Sequence, residues 1–144
     1  MIVKGSILAV LGLGFCALFS ESADAEGMLI IVNPSVEAAA LSPREISAIY
    51  LLKTMAWADG SRIIPVNREA TSPLREEFNG AILHQTNEAL AAYWNEMHFK
   101  GRLPPVIQES DRAMLAFIRK VPGAIGYISE STEPMDVKIV GRVP

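Results

Sequence analysis

Cysteine is almost missing from this chain. The single one, Cys16, lies inside an apolar N-terminal run, so neither disulfides nor a thiolate metal site can staple the rest. Phe15 before it is too bulky for the usual lipoprotein cleavage pattern, and Cys16 is not read as a lipid-anchored residue. Histidine is scarce too: His84 and His98 stand alone, without Glu-x-x-His or His-x-x-x-His spacing, and give a metal site no support. There is no Gly-x-Ser-x-Gly elbow, no Walker loop and no dinucleotide fingerprint. Glu76-Glu77, being adjacent, point to different parts of a helix and make a poor acid–base pair. No catalytic residue, metal or cofactor is therefore expected, and an enzyme is the weakest functional class. Basic residues do not cluster with aromatics, and the formal charge is −3, so nucleic-acid binding has no support. The longest charge-free apolar run, Ile7 to Phe19, falls short of the roughly 20 residues that cross a bilayer.

What is present begins with that run. Lys4 precedes it and Ala23-Asp24-Ala25 follows, the pattern of an exported signal peptide cut after Ala25. The expected organisation is a signal peptide over residues 1–25 and one α/β domain over 26–144, in a periplasmic protein. A domain of that size can stand on an ordinary apolar core.

Met28 to Asn33 reads as a strand buried on both faces, because its apolar run is continuous. Ser42-Pro43-Arg44-Glu45 is a capping box opening a helix, with Ile46, Ile49, Tyr50 and the stem of Lys53 expected inward. Asp59-Gly60 marks a turn. Arg62 to Asn67 reads as a second strand and Pro73 to Leu83 as a helix, with Leu74, Phe78 and Ile82 on one face. Thr86 caps a third helix, carrying Leu90, Tyr93, Trp94 and Met97. Pro104-Pro105 belongs to an extended connector, since neither residue can continue a helix. Ser110 or Asp111 starts a fourth helix. Ala124 to Ile128 and Val137 to Val140 complete four strands, the last an edge strand. Gly123 to Gly126 either admits a helix closely or turns backbone N–H groups toward a ligand, and the first reading is favoured. Trp57 either lines a pocket or covers the core's edge. Strands alternating with helices give an α/β domain with a mixed, mostly parallel sheet.

One stretch gathers features that point to ligand chemistry. In Arg68-Glu69-Ala70-Thr71-Ser72-Pro73-Leu74-Arg75, Ser72 is a natural N-cap and Pro73 suits the first helical position. A helix N-terminus offers unpaired N–H groups and partial positive charge to an anion. Residue types alone favour plain capping, with both arginines merely solvated.

The order Leu41-Ser42-Pro43-Arg44-Glu45-Ile46, Trp57-Ala58-Asp59-Gly60 and Ile64-Pro65-Val66-Asn67-Arg68 resembles the phosphate-type periplasmic substrate-binding proteins of ABC transporters. Tyr93-Trp94, Phe99-Lys100-Gly101, Pro104-Pro105 and Pro122-Gly123-Ala124-Ile125-Gly126-Tyr127 continue the likeness, from about Ile30 to Tyr127. The resemblance implies a single lobe of a type 2 periplasmic-binding-protein-like fold, flanked by helices. Such proteins close two lobes around an oxyanion, and here the other lobe is absent from the 144 residues. The implied module holds phosphate or a related oxyanion weakly, in a half-site at Arg68, Thr71, Ser72 and Arg75. Pro73 removes one N–H donor from it. A second lobe, a homodimer mate or a membrane-protein partner would supply the missing wall. The alternative is an accessory protein, outside transport, that docks on a membrane sensor, transporter or surface assembly.

Overall fold

The computed structural model describes residues 26–144, so the expected signal peptide lies outside the described residues. Strand β1 (Met28–Val32) is buried at every position. Met28, Ile30 and Val32 enter one core cluster and Leu29 and Ile31 the other, as the two-residue period of a strand requires. Helix α1 (Pro43–Tyr50) opens on the expected capping box: Ser42 Oγ accepts the Glu45 N–H, and the Glu45 carboxylate accepts the Ser42 N–H at 2.7 Å. Ile46, Ile49 and Tyr50 are buried. Lys53 departs from the expectation and is exposed. Leu52 takes the left-handed conformation, φ 58°, so the helical spacing does not carry on to residue 53.

Strand β2 (Ile64–Arg68) leads through a short loop into helix α2 (Pro73–Phe78). Helix α3 (Asn87–Phe99) is capped by Thr86, and α4 (Asp111–Lys120) by Ser110, whose Oγ accepts the Ala113 N–H at 3.0 Å. Strands β3 (Val106–Gln108), β4 (Ala124–Ser129) and β5 (Lys138–Val143) complete one sheet in the order β3-β2-β4-β1-β5. Strand β2 runs parallel to β3 and β4, while β1 is antiparallel to both β4 and β5. Four of the five strands therefore point one way, and the sheet is mixed and mostly parallel. Helices α1, α2 and α3 cover one face; α4 alone covers the other.

Two expectations are corrected. The connector after Pro104-Pro105 contains a fifth strand, β3, pairing Val66 with Val106 and Arg68 with Gln108. It is only three residues long, and Val106 and Ile107 are both exposed, so no alternation betrays it. The helix expected from Pro73 to Leu83 is α only to Phe78, and Asn79–Leu83 widen into a π turn. Leu74, Phe78 and Ile82 are nonetheless all buried. A four-residue spacing drifts by about 40° per step around an α-helix of 3.6 residues per turn, and a wider turn offsets part of that drift.

Gly126 fulfils the close-approach reading. A side chain there would land on Met114 and Ile118 of α4. Gly123, at φ 79°, faces the Arg62 carbonyl in the same crowded way. The chain's described ends also meet: in the β1–β5 pairing Met28 lies opposite Val143.

Candidate functional site

In parallel α/β sheets ligands settle at the carboxyl ends of the strands, where the chain turns outward to either face. Here β2 ends at Arg68, β3 at Gln108 and β4 at Ser129, all on one edge. Strand β2 feeds α2 and β3 feeds α4, on opposite faces, so two serine-capped helix starts stand at that edge. Between them lies a shallow cleft of about 300 Å³ that includes Arg68, Ser72, Ser110 and Asp111.

Two of the four expected site residues, Arg68 and Ser72, line that cleft, and Arg75 lies behind them against the loop. Arg68 Nη1 binds the Asp111 carboxylate at 2.5 Å, and its Nε reaches Glu69 at 3.1 Å. Arg75 Nη1 donates to the Arg68 carbonyl at 2.9 Å, which turns that guanidinium back against the loop. Ser72 is buried, and its Oγ accepts the Arg75 N–H at 3.4 Å as an N-cap. Thr71 stands apart, exposed in the turn, and its side chain forms no hydrogen bond among the described residues.

The residue that sequence reasoning passed over is Asp111. Its Oδ1 takes the Arg68 guanidinium, and its Oδ2 accepts the Ser129 N–H at 3.0 Å and the Thr132 hydroxyl at 2.6 Å. This carboxylate thus holds an arginine, a backbone N–H and a hydroxyl, the donor set an oxyanion would use. Its signal was available in Ser110-Asp111, but with β3 unseen nothing placed that helix start beside Arg68.

Charge in the cleft is mixed. Among the described residues Arg68 is its one cationic lining residue, against the carboxylates of Glu26, Glu77 and Asp111. The Arg68 hydrogen bond holds the Glu69 carboxyl below its ordinary range. Beneath the cleft an aromatic column fixes the strand ends. Phe78 stacks on Tyr127 with ring centres 4.2 Å apart, and Tyr50 tilts against Phe78 at 4.6 Å. The Tyr127 hydroxyl donates to Asn67 Oδ1 and accepts the Arg68 N–H, so the arginine's backbone is set from below. Trp57 lies at the opposite end of the sheet and serves both roles foreseen for it. Its Nε1 donates to the Gly123 carbonyl at 3.0 Å, and its ring lines a hollow of about 720 Å³ beside α1.

No protein-family model and no curated protein matches the chain. Solved structures do. A Clostridium perfringens protein described as a phosphate ABC transporter substrate-binding protein, with phosphate bound, superposes with a TM-score of 0.66 at 23% identity. The fold is that of one lobe of this substrate-binding structure. That match covers 80% of this chain and 44% of the other. An ABC-type phosphate transport receptor from Vibrio cholerae gives 0.64 at 19% identity, over 80% of this chain and 45% of that one. PstS from Borrelia burgdorferi gives 0.65 at 14%, over 81% and 47%. The lobe therefore spans less than half the length of the structures it matches.

Proposed function

We propose that this chain is an exported solute-binding-like lobe with a weak oxyanion half-site at Arg68, Thr71, Ser72 and Arg75. The convergence of Arg68 with the serine-capped starts of α2 and α4 at one sheet edge carries this reading, and the phosphate-binding structures that share the fold support phosphate as its anion. Weakness follows from magnitude. Micromolar affinity needs about −8 kcal/mol after association costs of about 4 kcal/mol or more are offset. Three or four exposed contacts at roughly 0.5–1.5 kcal/mol each barely exceed that cost. Asp111 and Glu69 already balance the Arg68 charge, which lowers the gain further.

Calorimetry on the monomer should give a millimolar phosphate Kd, and Arg68→Ala should abolish anion-dependent thermal stabilisation. Asp111→Asn removes a like charge from the cleft, worth about 1 kcal/mol at 4 Å in water, so phosphate should bind about fivefold tighter. Micromolar binding by the monomer would refute the weak half-site. Equal stabilisation of wild type and Arg68→Ala would move the anion elsewhere.

The carboxylates in the cleft favour a second reading, an accessory protein that docks on a membrane sensor, transporter or surface assembly and ignores phosphate. Capture of a membrane partner that is indifferent to phosphate, by a lobe that phosphate does not stabilise, would support it over the first.

A further inference from the structure

Six large apolar side chains are exposed among the described residues, and five of them are Phe99 at the end of α3, Met55 and Leu103 in loops, and Val106 and Ile107 in β3. Phe99 is 83% exposed and Leu103 73%, the highest values among them; Met55, Val106 and Ile107 follow. Helix α3 ends at Phe99. Gly101 adopts φ 75°, and the Arg102 N–H closes back onto the Met97 carbonyl at 3.0 Å. Such a left-handed stop reverses the chain sharply. The result is a tip, Phe99-Lys100-Gly101-Arg102-Leu103, with two apolar side chains outermost and two cations between them. Nothing lies within 4 Å of the place a Gly101 side chain would occupy.

The charge around this tip has one prevailing sign. Lys100 pairs with Glu96 at 3.2 Å, in an ion pair whose side chains are both more than half exposed. Arg102 pairs with no carboxylate among the described residues; its Nη1 donates to the Leu52 carbonyl at 3.0 Å, which braces the tip. The groove beside it contains Met55, Leu103 and Val106, and among the described residues its only charged lining residues are Arg62 and Arg102. Two copies meeting tip to tip would oppose like charges. An apolar tip flanked by Lys100, Arg102 and Arg62 instead matches an anionic bilayer, whose surface attracts Lys and Arg and whose interface accepts Phe and Leu.

We infer that the Phe99–Leu103 tip is a peripheral membrane-contact site, selective for anionic lipid, independent of the oxyanion cleft. The two core clusters close within residues 28–143, so the chain from Glu26 onward is suited to the test and leaves the apolar N-terminus out of it. That protein should co-sediment with phosphatidylglycerol vesicles and not with phosphatidylcholine vesicles. Binding should weaken about tenfold at about 1 M salt, where the Debye length shrinks to about 3 Å. Phe99→Ser with Leu103→Ser should reduce binding about tenfold or more at an unchanged melting temperature, because both side chains already lie in water. Lys100→Glu with Arg102→Glu should do the same. Failure to bind anionic vesicles, or equal binding by the Ser variant, would overturn the inference. So would a wild-type dimer that the Ser variant dissociates, since the tip would then be an interface between copies.

Discussion

Tyr50 joins three parts of the lobe through one hydroxyl. It donates to the Val66 carbonyl at 2.8 Å and to Ile125 O at 3.3 Å, tying α1 to adjacent strands. Burial raises its phenol well above the ordinary 10.0, with the neighbouring Tyr127 adding to the shift. In the unfolded chain the phenol ionises near 10, whereas in the fold it stays neutral. Its contribution is therefore complete below pH 10 and declines as pH climbs beyond it. Tyr50→Phe should lose about 1 kcal/mol near neutrality from the missing hydrogen bond. Its denaturation midpoint should fall less steeply than wild type above pH 10. An unchanged alkaline slope would assign that sensitivity to Tyr127 alone. Gly126 makes the opposite demand, the absence of a side chain. Gly126→Ala should cost about 1–3 kcal/mol in chemical denaturation, because Met114 and Ile118 must give way. A neutral substitution there would show that α4 can shift outward freely.

At the scale of elements, legibility followed burial. Strand β1 was plain in the sequence because a strand covered on both faces must be apolar throughout, and α1, α3 and α4 announced themselves by Ser42, Thr86 and Ser110. Strand β3 was hidden, being short, exposed and preceded by two prolines that spell only an extended chain. The break after Phe78 was hidden for a different reason. Leu74, Phe78 and Ile82 satisfy a helical spacing whether or not the turns are uniform, so the pattern cannot register a π turn. These misses propagate into the site. Arg68 and Ser72 are neighbours in sequence and were read together, whereas Asp111 reaches Arg68 only because β3 lies beside β2. A contact between residues so far apart in sequence depends on strand order, which periodicity does not encode.

Across the whole molecule, the candidate cleft and the Phe99–Leu103 tip lie toward opposite ends of β3. The cleft occupies the strands' carboxyl edge, above the column of Tyr50, Phe78 and Tyr127. The Phe99–Leu103 tip projects from the end of α3, and its side chains take no part in the cleft. Changes at Phe99 and Leu103 should therefore leave the cleft's response to phosphate intact, and Asp111→Asn should leave vesicle binding intact.

The pairing of Met28 with Val143 has a further consequence. Two antiparallel neighbours whose ends adjoin lack only a hairpin turn between them, and a two-residue Asn-Gly linkage is the natural turn for such a pair. Residues 27–143 then form, topologically, a ring opened between β5 and β1. Cutting it elsewhere should do little harm. A chain permuted within residues 28–143, with Asn-Gly joining Val143 to Met28 and opened at the exposed Asp59-Gly60 turn, should keep the same sheet and melt within a few degrees of the original. Loss of cooperative melting in that permutant would show that the present cut is itself needed for folding.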